Sequence, residues 1–105
     1  MALLEGLFKI EFQTHVGAGA GVVVLEQGRV RGGDGTMYYS GTYQQNGDDF
    51  SARVATKKHS PGVSVMGGDA TVSIQGKVTG DTAMLTGTAA EAPTIKLQAR
   101  LSRLE

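Results

Sequence analysis

Few residues in the sequence have the types and spacing that chemistry requires. The glycine and alanine run at residues 17–21 is similar in composition to a nucleotide-binding loop, but such a loop opens a helix and this run leads into an apolar strand. His15 and His59 each lack a second ligand or catalytic partner nearby in the sequence. Cysteine is absent, which excludes disulfides, thiol catalysis and thiolate metal sites. We therefore expect no enzyme, no metal and no cofactor, with a glycosidase or esterase as the less favoured alternative.

An acidic hairpin tip is the best candidate for recognising another protein. Its Asn-Gly turn is a strong hairpin signal, and two carboxylates follow it. Close charge pairs in interfaces contribute about 1.5–7 kcal/mol, against about 0–1 kcal/mol for exposed pairs. We predict a partner-binding site at Gln45, Asn46, Asp48 and Asp49. The alternative is that these residues only form and solvate the turn.

The elements that position these residues are predicted to be β-strands. Sixteen Gly, two Pro and no Trp favour strands and turns over helices. Residues 7–13 and 95–101 alternate between apolar and polar side chains, which is the pattern of a half-buried strand. Turn sequences divide the chain between them into strand-sized pieces. The predicted strands span residues 5–15, 18–27, 29–33, 36–45, 49–57, 69–78, 82–90 and 94–102.

An internal repeat favours closure of these strands into a barrel. The sequence at residues 32–36 recurs with one change at residues 67–71, and Gly41 then matches Gly76. A glycine at the same mid-strand place in both copies indicates strong bending or a close backbone approach. We predict an all-β fold, an eight-stranded antiparallel up-and-down barrel. The alternative is a β-sandwich, for which only residues 58–68 are long enough to cross between sheets.

A barrel of this size is filled by side chains or holds one small ligand. We predict a cavity for a small apolar molecule, with a solid core as the alternative. We also predict that Val63, Val65 and Met66 form a plug over one mouth of the barrel, unless this segment extends the next strand. The predicted cavity residues are Phe8, Ile10, Phe12, Tyr39, Tyr43, Val54, Ile74 and Leu97.

One strand lacks the alternation, because every residue from Val22 to Leu25 is apolar. In a barrel wall either Val22 and Val24 or Val23 and Leu25 must point outward. Burial of an aliphatic side chain contributes about 1.5–3 kcal/mol, which favours a covering surface over water. We predict that Val22, Val23, Val24 and Leu25 contribute to a homodimer interface. A local loop that covers them is the alternative.

Length and charge bound the remaining possibilities. The 105 residues fit a single domain, predicted at residues 1–103, and Leu104 and Glu105 are interpreted as vector-derived. Ten basic residues balance ten acidic ones, so net charge does not favour nucleic acid or an anionic membrane surface. No apolar segment reaches the roughly 20 residues that span a bilayer, and residues 1–5 lack a secretion-signal pattern. We expect a cytoplasmic protein with no direct nucleic-acid or membrane partner.

A pattern of glycine, acidic and tyrosine residues fills the first half of the chain, at Gly28, Gly32, Gly33, Asp34, Tyr39 and Gly41. Followed by the acidic tip, this pattern resembles the GrlR family, bacterial negative regulators of type III secretion. The resemblance extends from Gly6 through the last strand. It implies a lipocalin-like barrel with an apolar cavity, a plug-like loop and a homodimer, and a regulatory protein partner such as a transcriptional activator. In that family four alternating acidic residues bind the activator, whereas here Asp48 and Asp49 are the acids at the matching hairpin.

Overall fold

The protein is a single closed β-barrel. The structure, a computed structural model, describes residues 4–62, 66 and 68–105, and this part of the chain contains eight strands and no helix. The strands are β1 (Gly6–Thr14), β2 (Gly17–Glu26), β3 (Arg29–Gly33), β4 (Met37–Asn46), β5 (Asp49–Lys58), β6 (Ala70–Thr79), β7 (Thr82–Ala89) and β8 (Ala92–Arg103).

Every strand pairs antiparallel with the next one along the chain, and β8 returns to pair with β1. The closing pair is in register with Ile10 opposite Leu101. The predicted eight-stranded antiparallel up-and-down barrel is therefore confirmed, and the continuous sheet excludes the sandwich. The predicted strand ends differ from the observed ones by at most two residues, and β3 coincides with its predicted span.

The side chains of β2 resolve the choice that the sequence left open. Val23 and Leu25 are buried in the barrel core, whereas Val22 and Val24 are exposed on the outer surface. The prediction of a homodimer interface was wrong for Val23 and Leu25, because alternation along the strand turns them toward the interior. Only Val22 and Val24 remain available to a partner.

Two mid-strand glycines lie where the backbones of neighbouring strands approach each other closely. A Cβ atom on Gly41 would lie 2.0 Å from the carbonyl oxygen of Arg53, and one on Gly76 would lie 2.0 Å from that of Met84. No side chain fits at either distance. The interpretation of Gly41 and Gly76 as matched points of close backbone approach is therefore confirmed.

The short strand β3 leaves part of the wall unpaired. It contains five residues and pairs with β2 only from Val22 to Glu26. Residues 17–21 of β2 pair with β1 on one side and extend beyond the end of β3 on the other. The turn at residues 34–36, which joins β3 to β4, lies beside this gap, at the same end of the barrel as the β1–β2 turn.

Candidate functional site

The barrel encloses a cavity of about 290 Å³. Its walls are mostly apolar and are formed by inward-facing side chains from all eight strands. Val23, Met37 and Ala52 line it although the sequence analysis did not place them in the cavity. Six of the predicted cavity residues line it: Ile10, Phe12, Tyr39, Val54, Ile74 and Leu97.

The other two predicted cavity residues, Phe8 and Tyr43, lie in the packed end of the barrel and do not line the cavity. Leu4 closes this end, since its N–H donates to Gln45 Oε1 at 2.7 Å and its carbonyl accepts from the Tyr43 hydroxyl at 2.9 Å. The Tyr43 ring stacks on Phe50 with 5.7 Å between ring centroids. The prediction that Phe8 and Tyr43 line the cavity was wrong, because both side chains pack with Leu4 in the core at this end of the barrel.

A charged lid completes the closed end outside Phe8. The Phe8 ring is fully buried, and the guanidinium of Arg103 lies 4.8 Å from its centroid. Arg103 Nε donates to Asp81 Oδ1 at 3.0 Å, and its Nη1 donates to the Glu5 carbonyl at 2.6 Å. The N–H of Leu104 also donates to the Leu7 carbonyl at 2.8 Å, so the chain's last residues continue the pairing of β8 with β1. These contacts join both ends of the chain under the barrel.

At the opposite end, the residues that the structure describes do not close the cavity. Its rim consists of Ala18, Gly19 and Ala20 on β2, together with the turn at residues 34–36. The Phe12 ring lies across Gly19, where an added Cβ would come within 2.8 Å of Phe12 Cε1. The small residues of this rim therefore leave space for the Phe12 ring, which forms part of the cavity wall.

The predicted plug can be placed only in part. Met66 is buried, lines the cavity and packs with Ala70, Val72, Ala89 and Leu97. Val63 and Val65 lie outside the described residues. Met66 thus contributes to the wall of the cavity.

A hydrogen-bonded carboxylate is the main polar feature of the cavity mouth. Asp34 Oδ1 accepts the N–H groups of Thr36 and Met37, both at 2.8 Å, and Oδ2 accepts the Tyr39 hydroxyl. The Tyr39 ring is buried and meets Phe12 edge to face, with 6.4 Å between ring centroids. The arrangement joins a charged group at the rim to an aromatic pair inside.

The pKa shifts at this pair have identifiable causes. Burial by itself raises the pKa of Asp34, but the hydrogen bonds from Tyr39, Met37 and Thr36 outweigh it, so the pKa lies below its ordinary value. Burial, followed by the hydrogen bond to Asp34, raises the pKa of Tyr39. Asp34 is therefore an anion and Tyr39 a neutral donor at neutral pH.

His59 supports the turn that carries Asp34. Its backbone N–H donates to the Thr36 carbonyl at 2.9 Å, and its ring Nε2 donates to the Asp34 carbonyl at 2.9 Å. Sequence reasoning singled out neither Asp34 nor His59 as a site residue. The repeated Gly-Gly-Asp sequence was the available signal for Asp34, and it was interpreted only as the start of an internal repeat.

The acidic hairpin tip lies at the closed end of the barrel. Asn46, Asp48 and Asp49 are exposed, as partner binding requires. Asp49 forms an ion pair with Lys77 on β6 and raises the pKa of that lysine. Gln45 accepts from Leu4 and donates to the Gly47 carbonyl at 2.9 Å, so its amide is occupied within the barrel. Partner binding at this tip stays a prediction.

An apolar strip lies on the outer surface across β2, β3 and β4. Val22, Val24 and Tyr38 are 46%, 39% and 44% exposed. Val22 and Tyr38 both lie opposite Gly33, which has no side chain to separate them. The strip is where Val22 and Val24 would meet a second copy, and the homodimer also stays a prediction.

Comparison with known proteins adds no family. No protein-family model and no curated protein matches the sequence. Within the part of the chain that the structure describes, no apolar helix has the length needed to cross a membrane, and no three His, Asp or Glu side chains are grouped to hold a metal ion. The geometry of the barrel is therefore the feature that indicates a function.

Proposed function

We propose that the protein binds a small, predominantly apolar molecule inside the barrel and has no catalytic role. The observation that carries this proposal is the apolar cavity of about 290 Å³, which Leu4, Phe8 and Tyr43 close at one end and which the described residues do not close at the other. Ligand cavities in proteins commonly have volumes of about 300–1,000 Å³ and mostly apolar walls with a few polar groups. This cavity lies just below the lower end of that range.

The chemistry of the walls favours an apolar occupant over water. A buried water needs about three hydrogen bonds, whereas an engineered apolar cavity of about 150 Å³ stays dry and binds benzene. The inner walls consist of side chains such as Ile10, Leu25, Phe50 and Leu85, which offer no such bonds. Each methylene group transferred from water to such an environment contributes about 0.8 kcal/mol.

Two measurements test the proposal directly. Native mass spectrometry of the freshly purified protein is expected to show a bound small molecule. The uncharged dye N-phenyl-1-naphthylamine is expected to fluoresce on entering the cavity and to be displaced by 1-octanol. The absence of both an adduct and dye binding would contradict a ligand-binding role and leave the lining residues as packing only.

A matched pair of variants locates the binding site. Ala52 lines the cavity and its neighbour Ser51 faces the solvent on the same strand. Ala52→Phe places a ring in the cavity and is expected to reduce dye affinity at least tenfold, whereas Ser51→Phe places the same ring outside and is expected to leave it unchanged. Circular dichroism checks that both variants fold. Equal dye binding by the two variants would place the dye elsewhere.

A second candidate function is partner binding at the acidic tip, as in the regulatory role implied by the GrlR resemblance. The exposure of Asn46 and Asp48 on a hairpin that is paired on both sides favours it. Removing both acids, Asp48→Ala with Asp49→Ala, is expected to abolish capture of a protein partner from bacterial lysate while the circular dichroism spectrum is unchanged. Undiminished capture by the double variant would remove this site.

A further inference from the structure

The cavity mouth contains a carboxylate with hydrogen-bonding capacity to spare. An ionised carboxylate offers about four acceptor positions. Asp34 uses three of them, for the N–H groups of Thr36 and Met37 and for the Tyr39 hydroxyl. Among the residues that the structure describes, none occupies the fourth position, which is therefore available to a donor at the rim of the cavity.

No ion pair among the described residues includes this carboxylate. The ion pairs found there join Lys9 to Glu11, Lys77 to Asp49 and Arg103 to Asp81, and none of them includes Asp34. Its hydrogen-bond donors are neutral, and the ring of His59, which donates to the Asp34 backbone carbonyl, also favours the ionised carboxylate electrostatically without forming an ion pair with it. The lowered pKa of Asp34 agrees with an ionised group held by these donors. A ligand that fills the cavity thus meets a negative charge at the opening.

Gly21 lets the carboxylate and the tyrosine come this close to β2. A Cβ on Gly21 would lie 3.0 Å from Tyr39 Oη and 3.2 Å from Asp34 Cβ. The Asp34 side chain and the Tyr39 hydroxyl therefore lie directly against the β2 backbone where β3 stops pairing with it. The charge is positioned by the fold at the boundary between apolar cavity and solvent.

We propose that the cavity selects amphipathic cations, small apolar molecules that carry a protonated amine, with the amine at Asp34 and the apolar part in the barrel. This inference rests on the proposed ligand-binding function and names its ligand class. An ammonium group donates a charge-assisted hydrogen bond to the free acceptor position, and such bonds are about twice as strong as neutral ones. A fatty acid would place its own carboxylate beside Asp34, where the two like charges repel.

Three ligands with one tail and different head groups test the selection. Octylamine, 1-octanol and octanoate compete with N-phenyl-1-naphthylamine for the wild-type protein at pH 7, where a primary amine is protonated. We expect octylamine to bind most tightly and octanoate least, with about a tenfold difference between octylamine and octanol, which corresponds to about 1.4 kcal/mol. This order needs no variant, so it does not depend on a substitution that folds.

The repeat in the sequence supplies a matched control for the charge. Asp69 is the counterpart of Asp34, lies at the same end of the barrel and accepts the Lys58 N–H at 3.0 Å, but does not line the cavity. Asp34→Asn keeps the shape and removes the charge, and should reduce octylamine affinity to that of octanol. Asp69→Asn changes the net charge equally and should leave the order of the three ligands unchanged.

The outcomes separate this inference from the proposed function. If octanol displaces the dye but octylamine binds no better, or if Asp34→Asn keeps the amine preference, the selection by Asp34 is wrong while the ligand-binding cavity stands. If the dye and all three ligands fail to bind, both proposals are wrong. If Asp69→Asn abolishes the preference as well, the attraction comes from overall charge, and Asp34 is not its source.

Discussion

The two ends of the barrel are built from the same strands and differ in what fills them. At the closed end Leu4, Phe8 and Tyr43 occupy the interior, and every polar atom named there has a partner. At the open end small residues and the turn at residues 34–36 surround an apolar space. The closed end therefore contributes packing to the stability of the barrel, whereas the other end has space for the proposed ligand.

The largest effect should come from removing packing at the closed end. Phe8 is fully buried, so Phe8→Ala is expected to reduce the free energy of unfolding by about 3–5 kcal/mol. Phe12→Ala is the matched change at the open end, where the ring is half-buried beside an existing cavity, and should cost less than half as much. Urea denaturation followed by circular dichroism measures both. Equal losses would show that the open end is packed as tightly as the closed one.

A smaller loss of stability is expected at Gly41, where the β4 and β5 backbones approach each other closely. Gly41→Ala forces a methyl group against the Arg53 carbonyl and should reduce the free energy of unfolding by about 1–3 kcal/mol. Gly17, at the open rim, has nothing within 4 Å of its Cβ position, so Gly17→Ala should be neutral or stabilise by up to about 1 kcal/mol. Thermal denaturation of both variants checks this, and a stable Gly41→Ala protein would contradict the close approach.

The stability contributed by Asp34 at the open end should depend on acid. The folded-state pKa of Asp34 is lowered from 3.8, so its ionised form stabilises the fold above that pH, and the contribution is lost as the pH falls through the folded pKa. Wild-type protein should thus exceed Asp34→Asn in stability at pH 7, and the difference should shrink below about pH 3.8. Urea titrations at pH 7 and pH 3 measure it. A difference that is the same at both pH values would refute the role of the charge.

The smallest effect on folding should come from the outer surface of β2, which belongs to neither end. Replacing Val22 and Val24 by Ser should change the free energy of unfolding by no more than about 0.5 kcal/mol each, because both are exposed. If the predicted homodimer forms there, sedimentation at tens of micromolar should show a dimer for wild type and a monomer for the double variant. A wild-type monomer under these conditions would contradict the dimer.

The sequence predicted the fold well because strand alternation and turns are local signals. Strict alternation in β1 and β8 placed Ile10 and Leu101 on the inner face, and the structure pairs them directly. In β2 the sequence could not predict which side chains face inward, because an unbroken apolar run is compatible with either orientation. Only the pairing of β2 with its neighbours places Val23 and Leu25 inside.

The site was harder to predict because its parts are distant along the chain. Leu4 meets Tyr43 and Gln45 only after the barrel closes, so nothing near Leu4 in the sequence indicates that it seals one end. Asp34 reads as a turn residue, and it does form that turn through Thr36 and Met37. Its position at the cavity mouth depends also on Tyr39, whose hydroxyl donates to the Asp34 carboxylate from inside the cavity.

The short length of β3 leaves residues 17–21 of β2 unpaired on one side, next to the cavity mouth. With five residues this strand stops at Gly33, while the strand before it has ten. Two or four residues added to β3 would extend its pairing with β2 along Ala18 and Ala20 and would narrow the unpaired gap. If the proposed ligand enters here, insertions or deletions in β3 would change its access to the cavity without altering the inner lining.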